Sequence, residues 1–420
     1  MNFMALPRNV RVRMAVMFIQ RLTDSMIGIF IAIYLAERLG AAITGALVLL
    51  LAVLAIAAML VGGHLSDTWG RRPVLIVGEL AAFAFFGLMA LAHVAGWGAL
   101  AVYVSYGLVK FSTSMAMPAN DSMIVDVTTT ENRKFVYTVN YWAVNLALAI
   151  GAMLGGFLYR SHFGLLLVIA AAGMAGSLLA TVLLISETRP RPAAGAPAAP
   201  SRPNGLSQMI DGYRLVFVDR VFARLLLAAT LGMTLELQMN NYVGIRLAGD
   251  MPTQSLFGFD NIDGPRMLGL LKAENTILVI VLALFSQVLL RRVSDRPRLY
   301  VGITMYTAGF AVLAVTNSAW VLLLACLVLT LGELLNVPIK QSILAELVPE
   351  QGRTRYMAAY NLNIRLAQSL AAVTISLGAI VSSWGIAALY VLMGVVIIVQ
   401  YRAVLGHLQA RQAADIPAPA

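Results

Sequence analysis

Hydrophobic residues along this chain come in long, nearly unbroken blocks rather than at the spacing of a half-buried helix or strand. They fill roughly 12–37, 43–66, 72–94, 97–127, 134–159 and 163–186. After a polar interval they resume at 221–247, 266–291, 298–317, 319–347, 355–383 and 386–405. A helix needs about 20 apolar residues to cross a bilayer core, and it satisfies its own backbone groups while doing so. The pattern predicts an all-α polytopic membrane protein of about twelve transmembrane helices in two bundles of six.

The interval between the sets, Glu187 to Arg220, holds Pro190, Pro192, Pro197, Pro200 and Pro203 among alanines and arginines. Such a segment buries no core and reads as a linker, with Leu206–Val218 as a short helix on the membrane surface. The expected organisation is a first bundle at 1–187, a cytoplasmic linker at 188–220, a second bundle at 221–406 and a disordered tail at 407–420.

Composition agrees. The chain is 60% hydrophobic and 12% charged, about half the charged share of a soluble domain, which is roughly 25%. Its net charge of +10 is dealt out in small groups between blocks, so it sets topology rather than forming a nucleic-acid patch. Arg8, Arg11, Arg13, Arg71, Arg72, Arg133, Lys134, Arg291, Arg292, Lys340, Arg353 and Arg402 fall on one side. Arg38, Arg160, Arg246, Arg266 and Lys272 fall on the other. That bias puts both termini and the linker in the cytoplasm, across a cell inner (plasma) membrane. Cys326 is the single cysteine, so the chain forms no internal disulfide.

The loop between the second and third blocks reads Gly62-Gly63-His64-Leu65-Ser66-Asp67-Thr68-Trp69-Gly70-Arg71-Arg72-Pro73. Gly63 is suited to close helix approach and Gly70 to a tight turn. Asp67 suits the positive N-terminal end of a neighbouring helix. The stretch resembles the G-x-L-x-D-x-x-G-R-R signature of the major facilitator superfamily. That resemblance implies Asp126 as the acidic partner of Arg71, the set forming a gating motif. A weaker copy, Arg291 to Arg298, lies between blocks eight and nine, as a duplicated second half requires.

The fifth block carries Gly151, Gly155 and Gly156, which are similar to the antiporter signature of this superfamily, with Ala152 where proline is usual. They are expected to form one face on which the second bundle packs. Glu131-Asn132-Arg133-Lys134, followed by Tyr141-Trp142-Ala143 and Asn145-Leu146, resembles the drug/proton antiporters related to the lactococcal multidrug transporter LmrP. Those relatives have an acid where this chain has Asn140, so a proton step placed there must be missing or moved to another residue.

Ionisable residues at depth cost at least about 2.5–3.5 kcal/mol on insertion scales, so they are expected to line a cavity or to be paired. Glu236 and Glu333 sit inside the seventh and tenth blocks, Arg365 inside the eleventh. Asn240 shares a helical face with Glu236, and Pro338 can bend the helix beside Glu333. Two readings stay open: the acids as proton and substrate carriers, or Glu333 and Arg365 as a static pair. Lys110, Asn140, Tyr141 and Trp142 are assigned to the cavity wall; Lys110 either pairs with an acid or meets an anion. Asp24 is expected to pair locally with Arg21.

No phosphate-binding G-x-x-x-x-G-K-[ST] loop, metal cluster or nucleophile–histidine pair is present in the sequence, so transport is secondary and the chain is no enzyme. The expected cofactor is none beyond a proton gradient, the expected state a monomer. The resulting expectation is proton-coupled export of lipophilic, often cationic drugs by alternating access. Proton symport of a nutrient or anion, or lipid translocation, stands as the alternative.

Overall fold

The computed structural model describes residues 6–128, 133–188, 219–289, 294–348 and 353–414. Linker residues 189–218, the doubled arginine at Arg291 and the stretch Glu131-Asn132 lie outside them. Among the described residues eight helices are long and apolar enough to cross a membrane, one of them the 50-residue run Phe135–Leu184, about twice what a bilayer requires.

In the first half, α1 (Arg8–Gly28) breaks at Ile29 and Phe30 before a short α2 (Ile31–Leu39). The next elements are α3 (Ala41–Trp69), α4 (Arg71–Val94), α5 (Ala99–Val127) and α6 (Arg133–Leu184). His162 leaves helical geometry at φ −144° and ψ 46°, dividing α6 into the two predicted spans. The second half begins with α7 (Arg220–Gln238), a π-helical turn (Met239–Val243) and α8 (Gly244–Asp250). It continues with α9 (Gly264–Leu289), α10 (Asp295–Val315), α11 (Ala319–Leu347), α12 (Arg353–Gly378) and α13 (Ser383–Ala414). Taking α1 with α2 and α7 with α8, each half has six spans in the predicted order.

Two features depart from the hydropathy reading. The segment after α8 forms a hairpin of β1 (Gln254–Leu256) and β2 (Phe259–Ile262). Its turn residues Phe257 and Gly258 both have positive φ, 55° and 79°, as a two-residue turn of matching twist requires. The Phe257 ring meets Trp320 edge-on at 4.9 Å. The last helix runs to Ala414, past the tail boundary at 407. Polar letters hide an amphipathic turn there: Tyr401, Val404 and Leu408 are all buried on one face.

The halves meet at the hairpin end. A Cβ on Gly156 of α6 would stand 2.7 Å from the Pro265 carbonyl, and one on Gly269 of α9 2.6 Å from the Ala152 carbonyl. Opposite them, Ser376 of α12 donates to the Ala42 carbonyl of α3 at 3.0 Å. Arg160 clamps the same end, donating to the Ala248 carbonyl at 2.7 Å and pairing with Asp263 at 3.2 Å. The cleft between the halves is shut at this end.

This arrangement corrects one expectation. Of the three glycines at 151, 155 and 156, only Gly156 faces the second half. Gly151 lies against Leu22 and Ser25, and Gly155 against Met26 and Phe30, all of the first half. The helix turns 100° per residue, so 151 and 155 share a face that 156 leaves.

Candidate functional site

At the end opposite the hairpin, Gly70 turns the chain from α3 into α4 at φ +102°. The first amides of α4 need acceptors, and Glu187 at the end of α6 supplies them. It accepts from the Arg71 and Arg72 amides at 3.2 and 3.0 Å. Arg71 forms an ion pair with Asp126 and donates to the Ser122 carbonyl at 3.2 Å. Thr188 donates to Asp126 at 2.9 Å, and Arg72 to the Val182 carbonyl at 2.7 Å. The motif therefore ties together the ends of α4, α5 and α6. Glu187 was not foreseen in this role; Asp67, for which sequence reasoning expected a helix-end role, has its side chain outside the described part. Gly63 is likewise corrected. A Cβ there meets nothing within 4 Å, whereas one on Gly62 would run into the Met115 carbonyl of α5.

Midway through the first half, Lys110 of α5 pairs with Asp24 of α1, which replaces the expected local pair with Arg21. Gly28, one turn on from Asp24, leaves room for the pair and for the Tyr106 hydroxyl. The Lys110 ammonium stands 5.6 Å from the Tyr106 ring centre. Lys110 and Asp24 line a cavity of about 140 Å³ together with Gln20, Arg21, Glu79 and Asn120.

The second half holds a cluster of two acids and two lysines. Glu236 comes from α7 and Glu333 from α11. Lys272 of α9 and Lys340 of α11 lie within electrostatic reach of both acids. No ion pair in contact joins the four among the described residues. Asn275 holds Glu333 at 3.2 Å and Thr330 at 2.9 Å. Glu236 is exposed although it sits midway along the span Arg220–Asp250, with Thr234, Leu235 and Gln238 buried around it. An ionisable group at that depth is costly against lipid, which favours a place facing the bundle interior. The π-helical turn begins three residues later; such bulges are rare and concentrate at functional sites. It carries Asn240, whose carbonyl oxygen is buried without a partner. Tyr141 of α6, 49% exposed, lies within electrostatic reach of Glu333 although it belongs to the other half. Asn140 is half-buried with an unpartnered carbonyl oxygen, and Trp142 is half-buried.

Arg365 does not pair with Glu333. It donates to Gln368 at 3.2 Å and approaches the Met59 sulfur of α3 at 3.2 Å, which sets it on the seam between the halves. Sequence reasoning misread Lys272 and Lys340 as topology markers, because each lies near the end of an apolar block. It passed over Glu79, the carboxylate of the third block, whose burial only the packing reveals.

The family model of the Major Facilitator Superfamily matches residues 14–372. A Na(+), Li(+), K(+)/H(+) antiporter of Planococcus maritimus is 28% identical, covering 89% of this chain and 90% of its own. The multidrug resistance protein MdtH of Cronobacter sakazakii is 30% identical over a shorter stretch, 28% of each chain. Among solved structures, the peptide transporter POT in complex with sulfate aligns at a TM-score of 0.73 and 17% identity, over 97% of both chains. A POT family transporter in complex with 5-aminolevulinic acid aligns at 0.72 and 14% identity, over 98% of this chain and 99% of its own. With a family match across most of its length and spans in the matching order, this chain belongs to the Major Facilitator Superfamily and is a multi-pass membrane transporter.

Proposed function

We propose that the protein is a proton-coupled antiporter that exports lipophilic, often cationic compounds by alternating access. The observation that carries this reading is the pair Glu236 and Glu333 on the cavity wall, opposed by lysines that do not touch them. A carboxylate so placed is open to a proton or a cargo cation, and holding one discourages the other. Lys272 and Lys340 weaken the hold on a cation enough to let it leave. With the motif end in the cytoplasm, as the arginine bias favours, a cleft shut at the hairpin end fits an inward-facing stage of the cycle. The pairing of Lys110 with Asp24 removes one of the two free cations on which anion import would rest.

Ethidium efflux from energised cells, with and without a protonophore, tests the reading against Glu236→Gln and Glu333→Gln variants. Efflux that needs the proton gradient and fails in a variant supports it. Dye levels equal to those of empty cells, with the protein folded in the membrane, sink it.

A second reading, exchange of Na(+), Li(+) or K(+) for protons, is favoured by the end-to-end similarity to the Planococcus maritimus antiporter. Everted vesicles acidified by respiration separate the two. A pH rise inside on adding the chloride of one of these cations, with no response to ethidium, selects the inorganic cargo.

A further inference from the structure

We propose that Glu79 is a proton-binding site of the first half, separate from the acids of the second, and that it is neutralised in turn by a proton and by Arg13.

Glu79 of α4 is 2% exposed. One carboxyl oxygen accepts from Gln20 at 2.6 Å and from Thr181 at 3.1 Å; the other is buried with no partner. Arg13 of α1 is also 2% exposed, and all three of its guanidinium nitrogens are buried without a partner. The two lie within electrostatic reach of each other but not in contact. A bare carboxylate oxygen beside five unused donors is an arrangement that burial penalises heavily.

Two changes relieve the bare carboxylate. A proton on the free oxygen removes the acid's charge, or the arginine swings across and forms the pair. Gly78 fixes α4 against α5, since a Cβ there would fall 2.7 Å from that of Ala116. The acid therefore stays in place and the long arginine side chain is the part that moves. A proton arriving at Glu79 releases Arg13, and a proton leaving draws it back.

The site borders the cavity, and neutral groups extend it along the wall. Gln20 also donates to Ser177 at 3.0 Å and accepts from Asn120 at 3.2 Å. Both Gln20 and Asn120 line the cavity that holds Asp24 and Lys110. The charged groups around the site are Arg13, Arg21 and Asp24 from α1, and Lys110 and Asp121 from α5. From α6 come only the hydroxyls of Ser177 and Thr181 among the described residues. Asp24 already holds Lys110, and Asp121 lies in reach of Arg21 and Arg13. Arg13 and Glu79 are the two buried members of the set left without a contact between charges.

The transport arm of the test rests on the antiport reading; the site itself does not. Infrared difference spectra of the protein in liposomes, wild type against Glu79→Gln across a pH series, are the direct measurement. The expected result is a protonated-carboxyl C=O stretch that the variant lacks and that fades as pH rises. In the transport arm, ethidium efflux driven by a pH gradient falls about tenfold or more relative to ethidium counterflow in Glu79→Gln, and Glu79→Asp restores part of it. A variant of wild-type elution and helicity that loses no carboxyl band at any pH overturns the proposal. So does a loss of counterflow and driven efflux together that Glu79→Asp does not repair, since that marks a structural role. If the wild type moves no ethidium, the antiport reading fails, and the infrared band alone decides on Glu79.

Discussion

Lys340 on α11 and Gly232 on α7 are neighbours: a Cβ at Gly232 would stand 3.6 Å from the lysine ammonium, one helical turn from Glu236. The same ammonium lies 6.0 Å from the ring centres of Tyr306 and Tyr401. Under the proposed antiport, the lysine competes with a cargo cation for the two acids. At the effective dielectric of a protein site, roughly 20, charges several ångströms apart interact by about 1–2 kcal/mol. Lys340→Met should therefore bind ethidium about three- to tenfold more tightly in fluorescence titrations of purified protein. Unchanged or weaker binding would show that Lys340 does not act on cargo through the acids.

Neighbouring glycines in the motif should respond very differently. Gly62→Ala drives a Cβ into the Met115 backbone, an overpacking that costs about 3 kcal/mol or more. Its yield of monodisperse protein on fluorescence-detected gel filtration should collapse. Gly63→Ala faces open space and should stay within about 0.5 kcal/mol of wild type. Equal behaviour of the two would contradict the helix phase described here.

The Arg71–Asp126 pair is partly exposed, at 20% and 19%, so screening limits its worth to about 1 kcal/mol. Asp126→Asn should lower the unfolding midpoint by only a few degrees, which a thermal scan in detergent reads. Loss of transport should exceed that small loss of stability. The exchanged pair Arg71→Asp with Asp126→Arg should recover part of the activity. No recovery would mean that the geometry around Ser122, Thr188 and Glu187 matters more than the charges.

At the hairpin end, Gly156→Val places a branched side chain against the Pro265 backbone and Gly269. The shut arrangement then becomes strained while the opposite one does not. A cysteine at Ser376, on a Cys326→Ala background, should be alkylated several times faster in the Gly156→Val protein. Equal rates would show that α6 and α9 are not what keeps this end shut.

Much of the fold could be read in the sequence because the bilayer imposes one length on every span. The break at His162 and the ends of α3, α4 and α11 fall within a few residues of the hydropathy limits. The motif at Gly70, Arg71 and Arg72 was equally plain, since loop residues with special backbone needs leave specific letters. Depth was not legible. Hydropathy places Lys272 and Lys340 near block ends, and only packing shows that their flexible side chains reach the acids. Partner choice was not legible either: Asp24 has Arg21 three residues away in sequence, yet Lys110 meets it from another helix. The glycine faces went wrong for one reason, a helical phase error of a single residue.

The opening helix of each half is interrupted at about the same distance from its start, at Ile29 and Phe30 in one and at the π-helical turn in the other. Beyond each break stands a short stub, α2 of 9 residues and α8 of 7 residues, and the stubs face each other where Ile33 comes to 3.8 Å from a Cβ at Gly244. In a cycle of alternating access each interruption would serve as a knee, the shin flexing while the thigh, which bears Asp24 or Glu236, holds still. The mouth at the hairpin end can thus begin to part with two short levers, before either six-helix body has to roll.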